Sequence, residues 1–142
     1  MRVERFMFSI DTRVSGDSIV MSGKPQITIK PERIITNSTA PDQVIFESFK
    51  FNNDENLAIP FDAYLWSGAY HKKVVDDFMK EIGVTTLDAL YEYCDVHDLS
   101  IPDTNRVSLP SIQKGQLVEI RGKCNLPLDE LFIVSIQGMG RE

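Results

Sequence analysis

Phe6, Phe8 and Ile10 alternate with Arg5, Met7 and Ser9, and Ile27 and Ile29 alternate with Thr28 and Lys30. A period of two sends successive side chains to opposite faces, so both stretches predict half-buried strands, with Ser15-Gly16-Asp17 as a turn between them. Pro31 has no N–H to give to a ladder, which predicts an edge, a bulge or a bend before Ile34 and Ile35. From Gln43 to Phe51 the alternation changes phase, Val44 and Phe46 holding one parity and Phe49 and Phe51 the other. One extra residue in a long strand, a β-bulge, produces that change. Asn52 to Asn56 reads as a polar turn, and Leu57 to Trp66 as extended again, interrupted by Pro60 and ended by Ser67-Gly68. Strand patterning returns at Val107 and Leu109, at Val118 and Ile120, and at Phe132, Val134 and Ile136.

The middle of the chain has another period. Val74, Val75, Phe78, Met79 and Ile82 fall at helical spacing, with Lys73/Asp77 and Asp76/Lys80 as i,i+4 pairs and Gly83 at the position of a C-terminal cap. Thr85 and Asp88 then have capping-box spacing, and Leu87, Leu90, Tyr91 and Cys94 line one face of a second helix whose other face carries Asp88, Glu92 and Asp95. About eight strands against two helices that interrupt the series predict a mainly β fold: an antiparallel β-sandwich with a two-helix insert near residues 72–98. A length of 142 residues with 42% hydrophobic content suits one domain spanning residues 1–142.

Charge narrows the partners. Twenty-one acidic against fifteen basic residues give −6, and a bulk nucleic-acid binder needs a Lys/Arg excess to displace counterions. Arg2, Arg5, Arg13, Lys24, Lys30 and Arg33 do enrich the first third, a pattern ordinarily read as a solvated strand face. The sequence carries neither the uninterrupted apolar core of a secretory signal nor a membrane-length apolar run. Cys94 and Cys124 read as buried thiols, and Asn37-Ser38-Thr39 as a polar turn.

No set of residues assembles into catalytic chemistry. The two histidines, His71 and His97, lie in different elements, whereas a metal-dependent barrel enzyme needs several clustered ligands. Cys94, His97 and Asp98 have i, i+3, i+4 spacing, but Cys94 continues an apolar stripe and a histidine in a last helical turn complements the dipole. The acid pairs Asp54/Glu55, Asp76/Asp77 and Asp129/Glu130 are adjacent in sequence and point apart or into solvent. No cofactor or metal is expected, nor an enzyme. Phe61, Tyr64, Trp66 and Tyr70 form an aromatic run; beside Gly68 its members either anchor a contact with another chain or pack as core at a strand end.

The segments from Lys30 to Tyr64 and from Val107 to Gly138 carry further pattern. Pro31, Arg33 and Ile34, then Phe46 to Asn53, then Ile59, Pro60 and Phe61, and finally Gly115, Val118, Ile120, Asn125, Phe132 and Gly138 follow one order over about half of the chain. In this the chain resembles the jelly-roll shell proteins of tailless icosahedral phages. The resemblance implies a jelly-roll-like sandwich and a structural virion protein, a capsid or penton-type vertex component found in the virion. Its partners would be copies of itself in a symmetric oligomer and other shell proteins. The expected interface comprises Tyr64, Trp66, Tyr70 and His71 together with the N-terminal strand. The alternative is an intracellular adaptor or inhibitor that meets another protein through Asp88, Glu92 and Asp95. A ligand-binding barrel using His71, Asp76 or His97 ranks last.

Overall fold

In the computed structural model, which describes residues 3–14 and 16–142, the alternating apolar positions become two facing antiparallel sheets. Arg2 and Ser15 lie outside the described residues. One sheet pairs β1 (Val3–Arg13), β8 (Leu131–Arg141) and β3 (Thr28–Thr36) in the order β1-β8-β3. The other runs β2-β7-β4-β5, from β2 (Ser18–Gly23) through β7 (Val118–Cys124) and β4 (Val44–Phe51) to the short β5 (Asp54–Glu55), with β6 (Phe61–Asp62) also on β4. Residues 105–112 lie along the free edge of β3, bonded at Ile34–Asn105, Glu32–Val107 and Ile29–Ile112. With that segment counted as a strand, the first sheet has four members against five in the second; β1 to β4 alternate between the sheets, while β5 and β6 stay beside β4.

The facing sides form one apolar core. Ile10, Ile34, Phe132 and Ile136 from the first sheet meet Ile19, Phe46, Phe49, Phe51 and Ile120 from the second, all 3% exposed or less. The segment at Val107 and Leu109 forms only isolated bridges instead of the full strand expected from its alternation, because Pro110 has no N–H to offer the ladder.

Both predicted irregularities are bulges. The β3–β8 register shifts between Pro31 and Arg33, and the β4–β7 register between Phe46 and Ser48. Each faces a glycine: Pro31 is opposite Gly138 and Phe46 is opposite Gly122. A β-carbon on either would run into the backbone across the ladder, at the Lys30 carbonyl for Gly138 and the Ile45 carbonyl for Gly122. Bulge and glycine therefore form one unit, in which the strand kinks inward and the partner has no side chain to resist it.

The insert starts earlier than the apolar spacing predicted. Leu57 to Trp66 is not a continuous strand: after β6, Ala63–Trp66 turns as a 3-10 helix, η1, whose cap Asp62 accepts the Tyr64 N–H at 2.9 Å. Ser67-Gly68 does not end a strand but begins α1 (Gly68–Ile82), the Ser67 hydroxyl accepting the Tyr70 N–H. Gly83, with φ of 81°, ends the helix in the left-handed conformation. Thr86, not Thr85, caps α2 (Leu87–Val96). The pair observed on α1 is Lys72–Asp76 at 2.8 Å. No residue of α1 is fully buried, while α2 buries Leu90 and Cys94 outside the sandwich core. The two helices thus form a lobe with a small interior of their own.

Candidate interaction surfaces

Trp66 is the clearest departure from the expected interface. It is 8% exposed and stacks on Phe61 at 4.3 Å, with Phe46 at 5.7 Å and Phe49 at 6.2 Å. The turn residues beside it made it look peripheral. In the fold, η1 lies across the opening between β3 and β4, tied down by the Thr36 hydroxyl donating to the Ala63 carbonyl at 2.7 Å and by the Thr36–Ser67 bridge. The indole therefore plugs the core and is no surface anchor. Tyr64 and Tyr70 are half-buried and meet edge to face at 5.4 Å. His71 is half-buried with Nδ1 3.4 Å from the Thr104 hydroxyl. Residues 63–71 thus comprise η1, the cap Ser67 and the first turn of α1, at the root of the lobe.

Asp88, Glu92 and Asp95 are all exposed on α2, interleaved with Leu87, Tyr91 and Val96, which are 56%, 54% and 72% exposed. The apolar stripe predicted for Leu87 and Tyr91 faces solvent; only Leu90 and Cys94 turn inward. Between α1 and α2 runs an open groove of about 540 Å³, lined by Val75, Met79, Leu87, Leu90, Tyr91 and Ile101. Its charged members Lys72 and Asp76 pair with each other. Cys94 is buried while the His97 ring rests on Tyr93 at 4.2 Å. Among the described residues no three His, Cys, Asp or Glu side chains converge as metal ligands, and both cysteines are free.

Sequence reading missed two features. Asn105, 7% exposed, donates through Nδ2 to the carbonyls of Trp66 at 2.6 Å and Ile34 at 3.2 Å, so it clasps the lobe's exit to its entry and to β3. Beside it, partial burial pushes the Asp103 carboxyl up, but the hydrogen bond and charge of Arg33 at 2.5 Å, with the Asn105 N–H, outweigh burial and hold it below its ordinary value. The second feature is the outer face of the β1-β8-β3 sheet. Register and burial place Arg5, Arg13, Lys30, Arg33 and Arg141 on it against Asp11, with Glu32 in the bulge. Four basic residues of the first third, Arg5, Arg13, Lys30 and Arg33, are therefore gathered with Arg141 from the C-terminal strand. Val3 and Met7, 55% and 56% exposed, lie among them.

No helix among the described residues is long and apolar enough to cross a membrane. Compared with known protein families, curated proteins and solved structures, the chain matches none.

Proposed function

We propose that the chain is a structural shell protein, a capsid or vertex-type subunit that assembles with copies of itself and with other shell proteins. The observation that carries this reading is the strand order, β1-β8-β3 with residues 105–112 beside β3, facing β2-β7-β4-β5. This is the distribution of an eight-stranded jelly roll, an architecture used by viral shells and also by lectins and cupins. Because one fold hosts many functions, surfaces also weigh in the reading. The groove between α1 and α2 is open and apolar, Lys72 and Asp76 within it pair with each other, and α2 and the outer face of the β1-β8-β3 sheet expose apolar side chains among charges. Such a body suits contact between subunits better than chemistry on a small molecule.

Light scattering behind a sizing column over a concentration series, with electron microscopy of the eluted peaks, tests the proposal. Closed rings or shells are expected. A strict monomer at every concentration counts against it and favours the second reading, a protein-binding adaptor, which the exposure of Leu87, Tyr91 and Val96 among carboxylates supports.

A further inference from the structure

The charge of this chain is divided between two places. Residues 68–103 hold three lysines and eight carboxylates, hence −5 of the chain's −6. The outer face of the β1-β8-β3 sheet has five cations against one ladder carboxylate, Asp11. Both surfaces carry exposed apolar side chains among the charges, Leu87, Tyr91 and Val96 on α2 and Val3 and Met7 on the sheet.

Within one molecule the two touch at the root of the lobe, through Arg33 and Asp103, while the basic end of the sheet lies away from that root. Arg5, Lys30 and Arg141 cluster at one end of the sheet, where Lys30 and Arg5 flank Met139 and Arg141 lies between Val3 and Thr28. The lobe is rooted at the other end of β3, where Ser67 bridges Thr36 and Asn105 bonds Ile34. The nine residues of β3 separate that basic end from the root by roughly 25 Å.

We infer that copies of this chain associate head to tail, the acidic and apolar face of α2 on one copy seated on the basic end of the β1-β8-β3 sheet of the next. The inference rests on the self-assembly reading above and names its contact. Such a pairing is heterologous, so it closes into a ring or propagates. The occupant is a second copy because that copy supplies the complementary charge and the apolar residues together. A bare polyanion would match the cations, leave Val3 and Met7 uncovered and meet an acidic molecule. Three of the face's cations are already engaged, Arg33 by Asp103, Lys30 by the Leu109 carbonyl and Arg13 by the Asp129 carbonyl. Arg5 and Arg141 are the ones to reverse.

The experiment compares the full chain with Arg5→Glu/Arg141→Glu, with Glu92→Lys/Asp95→Lys, and with all four changes in one chain, by sedimentation velocity at several concentrations. All four side chains are exposed, and thermal melts check that each variant folds. Either pair is expected to weaken association at least about tenfold, and the fourfold variant to restore it to within about threefold. Wild-type association should also weaken between about 50 and about 500 mM salt. If the chain associates and neither pair weakens it, or the fourfold variant does not recover, the contact is overturned while self-assembly stands. If no variant associates at any concentration, both fall. Binding of a single-stranded oligonucleotide that is lost in Arg5→Glu/Arg141→Glu, without a change in self-association, would assign the face to nucleic acid and overturn the proposal.

Discussion

Gly122→Ala tests the pairing of bulge and glycine. Gly122 lies on the central strand β7, opposite Phe46, where β4 bulges. An added methyl carbon would overlap the Ile45 carbonyl oxygen and lie 3.1 Å from the Ile45 carbonyl carbon and 3.2 Å from the Phe46 Cα. Carbon and carbonyl oxygen rest about 3.3–3.6 Å apart, so β4 and β7 must part by about an ångström. None of the three atoms belongs to a side chain that can rotate away. One or two ladder hydrogen bonds stretch beyond use, at about 1 kcal/mol each, and Phe46, fully buried against Trp66 and Phe132, leaves its packed position for about 1–2 kcal/mol more. Replacing glycine stiffens the unfolded chain and returns about 0.4–1 kcal/mol. The expected net loss is about 2–3 kcal/mol. Trp66, the only tryptophan, is buried within this cluster, so its fluorescence in a urea titration follows the transition, whose midpoint should fall by about 1–2 M. Gly68→Ala is the control. Nothing lies within 4 Å of its added carbon and it opens α1, so its midpoint should stay or rise slightly. A Gly122→Ala midpoint equal to that of the wild type would refute the reasoning.

Other expectations follow from the same contacts. Gly138→Ala, across from the β3 bulge, should lower the midpoint at least as far as Gly122→Ala. Asn105→Ala should cost about 1–3 kcal/mol by stranding two carbonyls, and hydrogen exchange should rise first at the root of the lobe. Partial burial pushes Glu55 up, but hydrogen bonds from the Phe49 N–H, the Ser48 hydroxyl and the Leu57 N–H, with the charge of Lys50, together hold it below its ordinary value. Asp103 is lowered likewise. A carboxyl lowered in the folded state contributes stability above its unfolded pKa and loses it as pH falls through the folded value. Urea midpoints should therefore drop below about pH 4, and Glu55→Gln with Asp103→Asn should flatten that drop.

Local signals carried the architecture further than the surfaces. The phase change from Phe46 to Phe49 and the missing donor at Pro31 are covalent or periodic facts, and each marks a bulge. Val74 to Ile82 and Gly83 likewise mark the body and end of α1. Its beginning was hidden, because Ser67 caps the helix with a hydroxyl while the residues before it alternate as a strand would. The strand Ser18–Gly23 drew no expectation: it is short and its outward positions include two serines. Trp66 was ambiguous because burial there depends on η1 crossing from one sheet to the other, a long-range event that neighbouring residues do not encode. The basic face was hidden for the same reason, since Arg141 joins Arg5 only through the pairing of the two ends of the chain.

The clasp at Asn105 means that the chain leaves for the lobe and returns to the sandwich at nearly one point, with the Trp66 carbonyl and the Asn105 amide 2.6 Å apart. For protein engineering that point is a graft junction. A different module with closely spaced termini, such as an epitope, a reporter or a binding domain, can be spliced there in place of the helices while the sandwich keeps its own stitching. If the sandwich builds a shell, the same junction displays one foreign module per subunit.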